Sequence, residues 1–224
     1  MKIFLSSIPG ILFLMLFSVN AFSQGNSNTH IKIETSQGDI IIKLYNETPK
    51  HRDNMIKLAE EGFFEDQLFH RVISNFMIQG GDPHSVGAER GQRLGTGGPG
   101  YTVPAEFNES LFHKKGALSA ARRGDDVNPE KESSGSQFYI VVGRVLTIDE
   151  LMAMEQRGIH GPFTKEAIDA YTTIGGTPHL DGGYTVFGEV TEGLEIVDII
   201  CNTPTDPYDR PVEDIVYNIS VINK

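Results

Sequence analysis

Two short apolar runs, residues 68–73 and 76–78, flank the polar pair Ser74 and Asn75. Runs this short, divided by turn-forming residues, pair as a β-hairpin and so commit the chain to antiparallel sheet. Strand alternation then sets Arg71 and Ile73 on one face and His70 and Val72 on the other. A guanidinium in so apolar a stretch needs a reason. Most strand arginines simply lay their stem on the sheet and reach water or a carboxylate. Here Phe76, Met77 and Gln79 follow closely, and with Arg71 they make an apolar floor with two directed polar groups at its edge, the composition of a ligand site.

The period of two recurs elsewhere. Ile31 and Ile33, then Ile40, Ile42 and Leu44, alternate around Ser36-Gln37-Gly38-Asp39, which predicts two antiparallel strands and a short turn. Residues 116–121 and 212–222 read as further strands. Thr48-Pro49 offers an N-cap and a proline at the first helical position, and Met55, Ile56, Leu58 and Ala59 carry a helical period as far as Gly62. A second amphipathic helix spans 192–200, with Leu194, Ile196, Val197 and Ile200 on its apolar side. The pieces sum to about eight strands and two principal helices, so we expect a mainly β fold, a closed eight-stranded antiparallel barrel capped by two helices. Residues 145–177 exceed what a barrel loop needs; helical patterns at 147–157 and 164–172 predict a surface insertion there.

Residues 1–23 have the form of an export signal: Lys2, an apolar core over 8–19, and Ala21-Phe22-Ser23 before Gln24. Removing them leaves a polar tail over 24–30, a domain over 31–224 and a formal net charge of -12 against -11 for the whole chain. Such a surface repels polyanions, so nucleic acid is not an expected partner. We expect a monomer in the periplasm or secreted, off the membrane once the signal is gone. The histidines form no HxH or HExxH pattern and Cys201 stands alone, so neither a metal site nor an internal disulfide is expected. Gly95-Thr96-Gly97-Gly98-Pro99-Gly100 lacks the strand before and helix after that a phosphate loop requires, and reads as a long surface loop. No serine sits in a nucleophile elbow.

The fourteen residues Phe-His-Arg-Val-Ile-Ser-Asn-Phe-Met-Ile-Gln-Gly-Gly-Asp at 69–82 resemble the signature of the cyclophilins, peptidyl-prolyl isomerases of the eight-stranded barrel type. Ser-Gly-Ser-Gln-Phe-Tyr-Ile at 134–140 and His-Leu-Asp-Gly-Gly-Tyr-Thr-Val-Phe-Gly at 179–188 are similar to two further segments of that family. The resemblance implies rotation of X-Pro amides without a cofactor, with proline-containing peptides and unfolded or folding proteins as partners. It implies Arg71 as the catalytic residue and a proline pocket of Phe76, Met77, Tyr139 and Leu180, closed by Tyr184. Gln79, Gln137 and the Ala121-Arg122 edge would hold the flanking peptide groups, and Thr96 would border a secondary substrate pocket.

Three departures stand out. Arg122 takes the place of a usual asparagine. Tyr139 stands where phenylalanine is commoner, and its hydroxyl needs a polar partner. His179 replaces a tryptophan of many eukaryotic members, which implies weaker cyclosporin binding. A binding module of the same shape, gripping proline segments without turnover, is the rival reading; only Arg71 separates the two.

Overall fold

A computed structural model describes residues 29–223. The signal-like segment 1–23 and most of the polar tail lie outside the described residues. The alternating isoleucines form β1 (Thr29–Thr35) and β2 (Gly38–Leu44), paired with Ile31 opposite Ile42 and Ile33 opposite Ile40. All four side chains are fully buried while Lys32 and Glu34 lie on the other face. Helix α1 (Pro49–Glu60) follows, then β3 (Gln67–Leu68), β4 (Arg71–Ile73), β5 (Met77–Gly80), β6 (Thr102–Val103), β7 (Ala117–Ala120), β8 (Ser133–Ser134) and β9 (Phe138–Val141). The chain continues through α2 (Ile148–Gln156), α3 (Lys165–Thr173), β10 (Val186–Glu192), α4 (Leu194–Cys201) and β11 (Val216–Asn223).

The main sheet corrects the closed eight-stranded barrel. It has nine strands in the order β3-β11-β1-β2-β10-β7-β9-β5-β4, and among the described residues no ladder joins its two ends. Those ends are nevertheless consecutive in the chain, since only Phe69 and His70 separate β3 from β4. The sheet must therefore curl until its edges nearly meet, and the backbone bridges the gap that hydrogen bonds leave open. The continuous strand read at 68–73 breaks for the same reason. Phe69 and His70 are both buried, at 0% and 4% exposure, which successive residues of one regular strand cannot achieve on a one-sided sheet.

Inside the curl lie Phe64, Phe69, Phe138 and Tyr217 with the isoleucines of β1 and β2. Burying the Tyr217 hydroxyl requires partners: it accepts from the Gly81 N–H at 2.7 Å and donates to Gln67 Oε1 at 3.1 Å. Met55, Leu58 and Ala59 of α1 pack against β10 and β11, and Val197, Ile200 and Cys201 of α4 are buried on the β2, β4 and β5 side.

The cap of α1 is not the one expected. The Thr48 hydroxyl makes no capping bond. The Glu106 carboxylate instead accepts from the Lys50 N–H at 3.1 Å and the His51 N–H at 3.0 Å. A full negative charge at a helix N-terminus is favoured over a neutral hydroxyl there. The insertion is helical as expected. Thr147 and Glu150 form a reciprocal capping box on α2, and Thr164 accepts from the Ala167 N–H to start α3. Leu151 and Tyr171 bury between the two helices, with Phe112 and Phe163 packed alongside.

Candidate active site

Register across four strands places the candidate residues. Arg71 on β4 pairs with Gln79 on β5, Gln79 pairs with Tyr139 on β9, and Tyr139 pairs with Ser119 on β7. Directly paired residues share a face, so these four side chains form one row across the outside of the curl. The neighbouring row, Val72, Ile78, Ile140 and Leu118, points into the core. Met77, Tyr139 and Val186 then build a second apolar cluster on the outer face, with Phe76, Ala121, Leu180 and Tyr184 packed against it.

A cavity of about 150 Å³ opens over that cluster, lined by Arg71, Phe76, Met77, Gln79, Ala121, Arg122, Tyr139, Leu180 and Tyr184. Thus nine of the eleven site residues read from the sequence line one hollow. Gln137 and Thr96 do not. Gln137 stands behind the wall: Gln79 Nε2 donates to its Oε1 at 3.1 Å, and its own Nε2 donates to the Gly97 carbonyl at 2.8 Å. Thr96 takes part through its backbone N–H, which donates to Asp82 Oδ2 at 3.1 Å.

The polar side of the hollow is a chain of directed bonds. Arg71 Nη1 donates to Gln79 Oε1 at 3.3 Å, and Gln79, Gln137 and Gly97 continue it into the glycine-rich loop. Asp82, the last residue of the 69–82 signature and given no site role from the sequence, anchors that loop. Its fully buried carboxylate accepts from the N–H groups of His84, Gly95 and Thr96. Burial alone would raise its pKa, but the N–H groups outweigh that and hold it below the usual carboxylate value. A side chain at Gly97 would meet Asp82 Oδ1 at 2.1 Å, so the close approach requires glycine there.

Arg122 is not a passive stand-in for asparagine. Its Nε donates to the Gly183 carbonyl at 2.6 Å, its Nη1 reaches Asp125 at 2.6 Å, and the guanidinium sits 4.6 Å above the Tyr184 ring. It thereby fixes one wall of the hollow against the turn after Leu180. His179 does not line the hollow but stacks on Phe76, with centroids 5.9 Å apart and planes at 26°.

The Tyr139 hydroxyl has the partner that burial demands, and the sequence reading missed it. His113 Nε2 lies 2.9 Å away, and His113 Nδ1 lies 2.7 Å from Asp181 Oδ1. With Nδ1–H donating to the carboxylate, Nε2 is left to accept the tyrosine proton. Asp181 also accepts from the Tyr171 hydroxyl at 2.6 Å and pairs with His160 Nε2 at 3.2 Å. Burial pushes the Asp181 pKa up, yet the hydrogen bonds from His113 and Tyr171 win and leave it lowered. Asp181 is thus the hub of a largely buried network that joins His113, Tyr171 and His160.

The family model for the cyclophilin type peptidyl-prolyl cis-trans isomerase matches residues 30–221. The chain belongs to the cyclophilin family. As a cyclophilin it is 36% identical over 187 residues to a Staphylococcus aureus (strain USA300) protein named as a peptidyl-prolyl cis-trans isomerase, covering 83% of this chain and 87% of that one. It is 34% identical over 196 residues to a Streptococcus pyogenes serotype M6 protein named as a bifunctional phosphatase/peptidyl-prolyl cis-trans isomerase, covering 86% of this chain and 38% of that one. Its fold is similar to the crystal structure of a Cryptosporidium parvum cyclophilin type isomerase, with a TM-score of 0.63 at 24% identity over 88% of this chain and 99% of that one. A structure described as the same parasite isomerase in the presence of the dipeptide Ala-Pro gives a TM-score of 0.61 at 24% identity, over 87% and 99% of the two chains. This cyclophilin is therefore an enzyme of the peptidyl-prolyl cis-trans isomerase class.

Proposed function

We propose that the 150 Å³ hollow takes a prolyl ring and that Arg71 lowers the barrier to rotation about the bond before it. An X-Pro amide rotates slowly because the planar form keeps its resonance, with a barrier of roughly 20 kcal/mol and free-peptide times of tens of seconds. No covalent bond is made or broken, so the protein has only to favour the twisted amide. In that state the prolyl nitrogen is pyramidal and carries a lone pair that the planar amide lacks. A donor aimed at it acts only in the transition state, which is the condition for raising turnover.

The observation that carries this reading is the placement of Arg71 on the rim of the hollow, beside Phe76 and Met77 and bonded to Gln79. A guanidinium offers five N–H donors, and its contacts with Gln79 and Asp209 leave others for a ligand. In this reading the ring rests on Phe76, Met77, Tyr139 and Leu180, while Gln79 and the Ala121-Arg122 edge orient the peptide groups on either side. Ala121 is itself backbone-paired with Gln137 and Ser134, which keeps that edge rigid. Substrates are peptides and folding chains that offer an exposed proline. Residues 1–23 support export, and N-terminal sequencing of the mature protein tests it.

A protease-coupled assay on an Ala-Pro test peptide is the experiment. A charge-assisted bond in a partly dry site supplies about 3 to 4 kcal/mol, so Arg71→Ala loses about two to three powers of ten in kcat/KM while remaining folded. Parent-level turnover in that variant rules out the role given to Arg71.

A further inference from the structure

A second, larger hollow of about 820 Å³ lies beside the first. Phe107 and Leu111 line it from the segment before β7, Ile159 and His160 from the tip of the insertion between α2 and α3, and Asp181 and Tyr184 from the turn that closes the smaller cavity. Tyr184 belongs to both hollows, and Leu180 of the small one is followed directly by Asp181 of the large one. The two hollows are thus neighbours with the Tyr184 ring as a shared wall.

The groove is built rather than incidental. Its walls come from segments far apart in the chain, yet both are tied to Tyr171: Phe112 packs 5.5 Å from that ring and Phe163 packs 5.9 Å from it, each edge-on. His160 stacks on Phe163 at 3.8 Å and reaches Asp181, which bonds through His113 to Tyr139 in the small cavity. The insertion is thus wired by partly buried hydrogen bonds to the floor on which the prolyl ring is proposed to sit. Two large apolar side chains nevertheless stay open to solvent in the groove, Phe107 at 45% and Ile159 at 51% exposure.

We propose that this groove is a subsite for an apolar stretch of the same polypeptide whose proline occupies the smaller hollow. The inference rests on the isomerase reading above. A chain leaving the prolyl position over Leu180 and Tyr184 passes straight into it. Its volume is that of a pocket for several side chains, and pre-formed walls spare the ordering cost that a loop closing on its ligand incurs. Glu109 in the lining and the acidic net charge of the chain disfavour acidic flanks. The enzyme would then favour prolines set among hydrophobic residues, which unfolded chains expose and folded surfaces rarely do.

The test uses the whole protein, fluorescein-labelled twelve-residue peptides and the four-residue Ala-Pro peptide. One long peptide flanks Ala-Pro with Leu and Phe, the other with Ser and Gly. By anisotropy the apolar peptide binds at least about tenfold more tightly, and the Phe107→Ala/Ile159→Ser double variant shrinks that preference below about threefold. Turnover of the short peptide by the double variant stays within about twofold of the parent. Equal affinity for the two long peptides, or a preference unchanged by the double variant, overturns the subsite. If the parent binds the long peptides with the stated preference but does not isomerise the short one, the groove stands and the isomerase reading fails.

Discussion

The Nε of Arg71 lies 3.5 Å from Oδ2 of Asp209, a residue held at φ +66° in the loop before β11. That loop is pinned at Asp209 itself and at the residue after it. The Val72 N–H donates to the Asp209 carbonyl at 2.7 Å, and the buried Arg210 guanidinium binds Asp214 and the carbonyls of Ala88 and Glu89. Both partners of the ion pair are 43% exposed, so it adds little to folding stability. Its effect is directional, holding one edge of the guanidinium so that another faces the hollow. Asp209→Asn, which keeps a residue that tolerates positive φ, lowers kcat/KM by about three- to tenfold, with denaturation unchanged within about 0.5 kcal/mol. A loss as large as that of Arg71→Ala would contradict a purely orienting role.

Asp181 gathers bonds from His113, Tyr171 and His160 around one largely buried carboxylate. An amide in its place offers one acceptor oxygen instead of two and carries no charge. Asp181→Asn costs about 2 to 4 kcal/mol in urea unfolding. Tyr139→Phe breaks only the far end of the same network and costs about 1 kcal/mol. The reverse order of the two losses would mean that the network is not organised on Asp181.

His70 faces inward from the end of β3 to β4, and burial depresses its pKa from 6.5 to about 4. The unfolded chain then binds more protons than the native one between those values. Stability contributed by the neutral ring is full above pH 6.5 and is lost as pH falls toward 4. His51 and His179, also lowered by burial, add loss of the same sign. Between pH 7 and 4.5 the His70 part is about 2 to 3 kcal/mol. Chemical denaturation across that range checks it, and in His70→Phe the slope flattens by about that amount.

His179 stacks on Phe76, which lines the hollow, and offers a smaller surface than the tryptophan expected there from the resemblance to many eukaryotic members. We therefore expect the parent enzyme to be inhibited only weakly by cyclosporin in the coupled assay. His179→Trp tightens inhibition by at least about tenfold in the coupled assay, since a large amphipathic ring adds both area and an N–H donor. Tight inhibition of the parent would show that other contacts suffice.

What the sequence revealed and what it hid divide along chain separation. The Arg71 hairpin and the helices of the insertion follow from periods and caps within a few residues, and they lie where local reasoning puts them. Glu106 caps α1 from 55 residues away, Asp181 meets His113 across 68, and neither pair leaves a local pattern. The break at Phe69 and His70 was hidden differently: an unbroken apolar run looks the same whether it is one strand or two strands at opposite edges of a curl. The hydroxyl of Tyr139 did announce that a partner must exist, without naming it.

In the sheet order, β11 lies between β1 and β3 and pairs with both. The earliest hairpin and the Gln67-Leu68 edge therefore have no direct link until the final strand arrives. During synthesis the nascent chain can assemble its middle, but the seam beside Tyr217 stays unzipped, leaving the aromatic interior short of its last ring. Closing the sheet therefore waits on Tyr217 meeting Gln67 across 150 positions of chain, a long-range pairing of the kind that forms slowly.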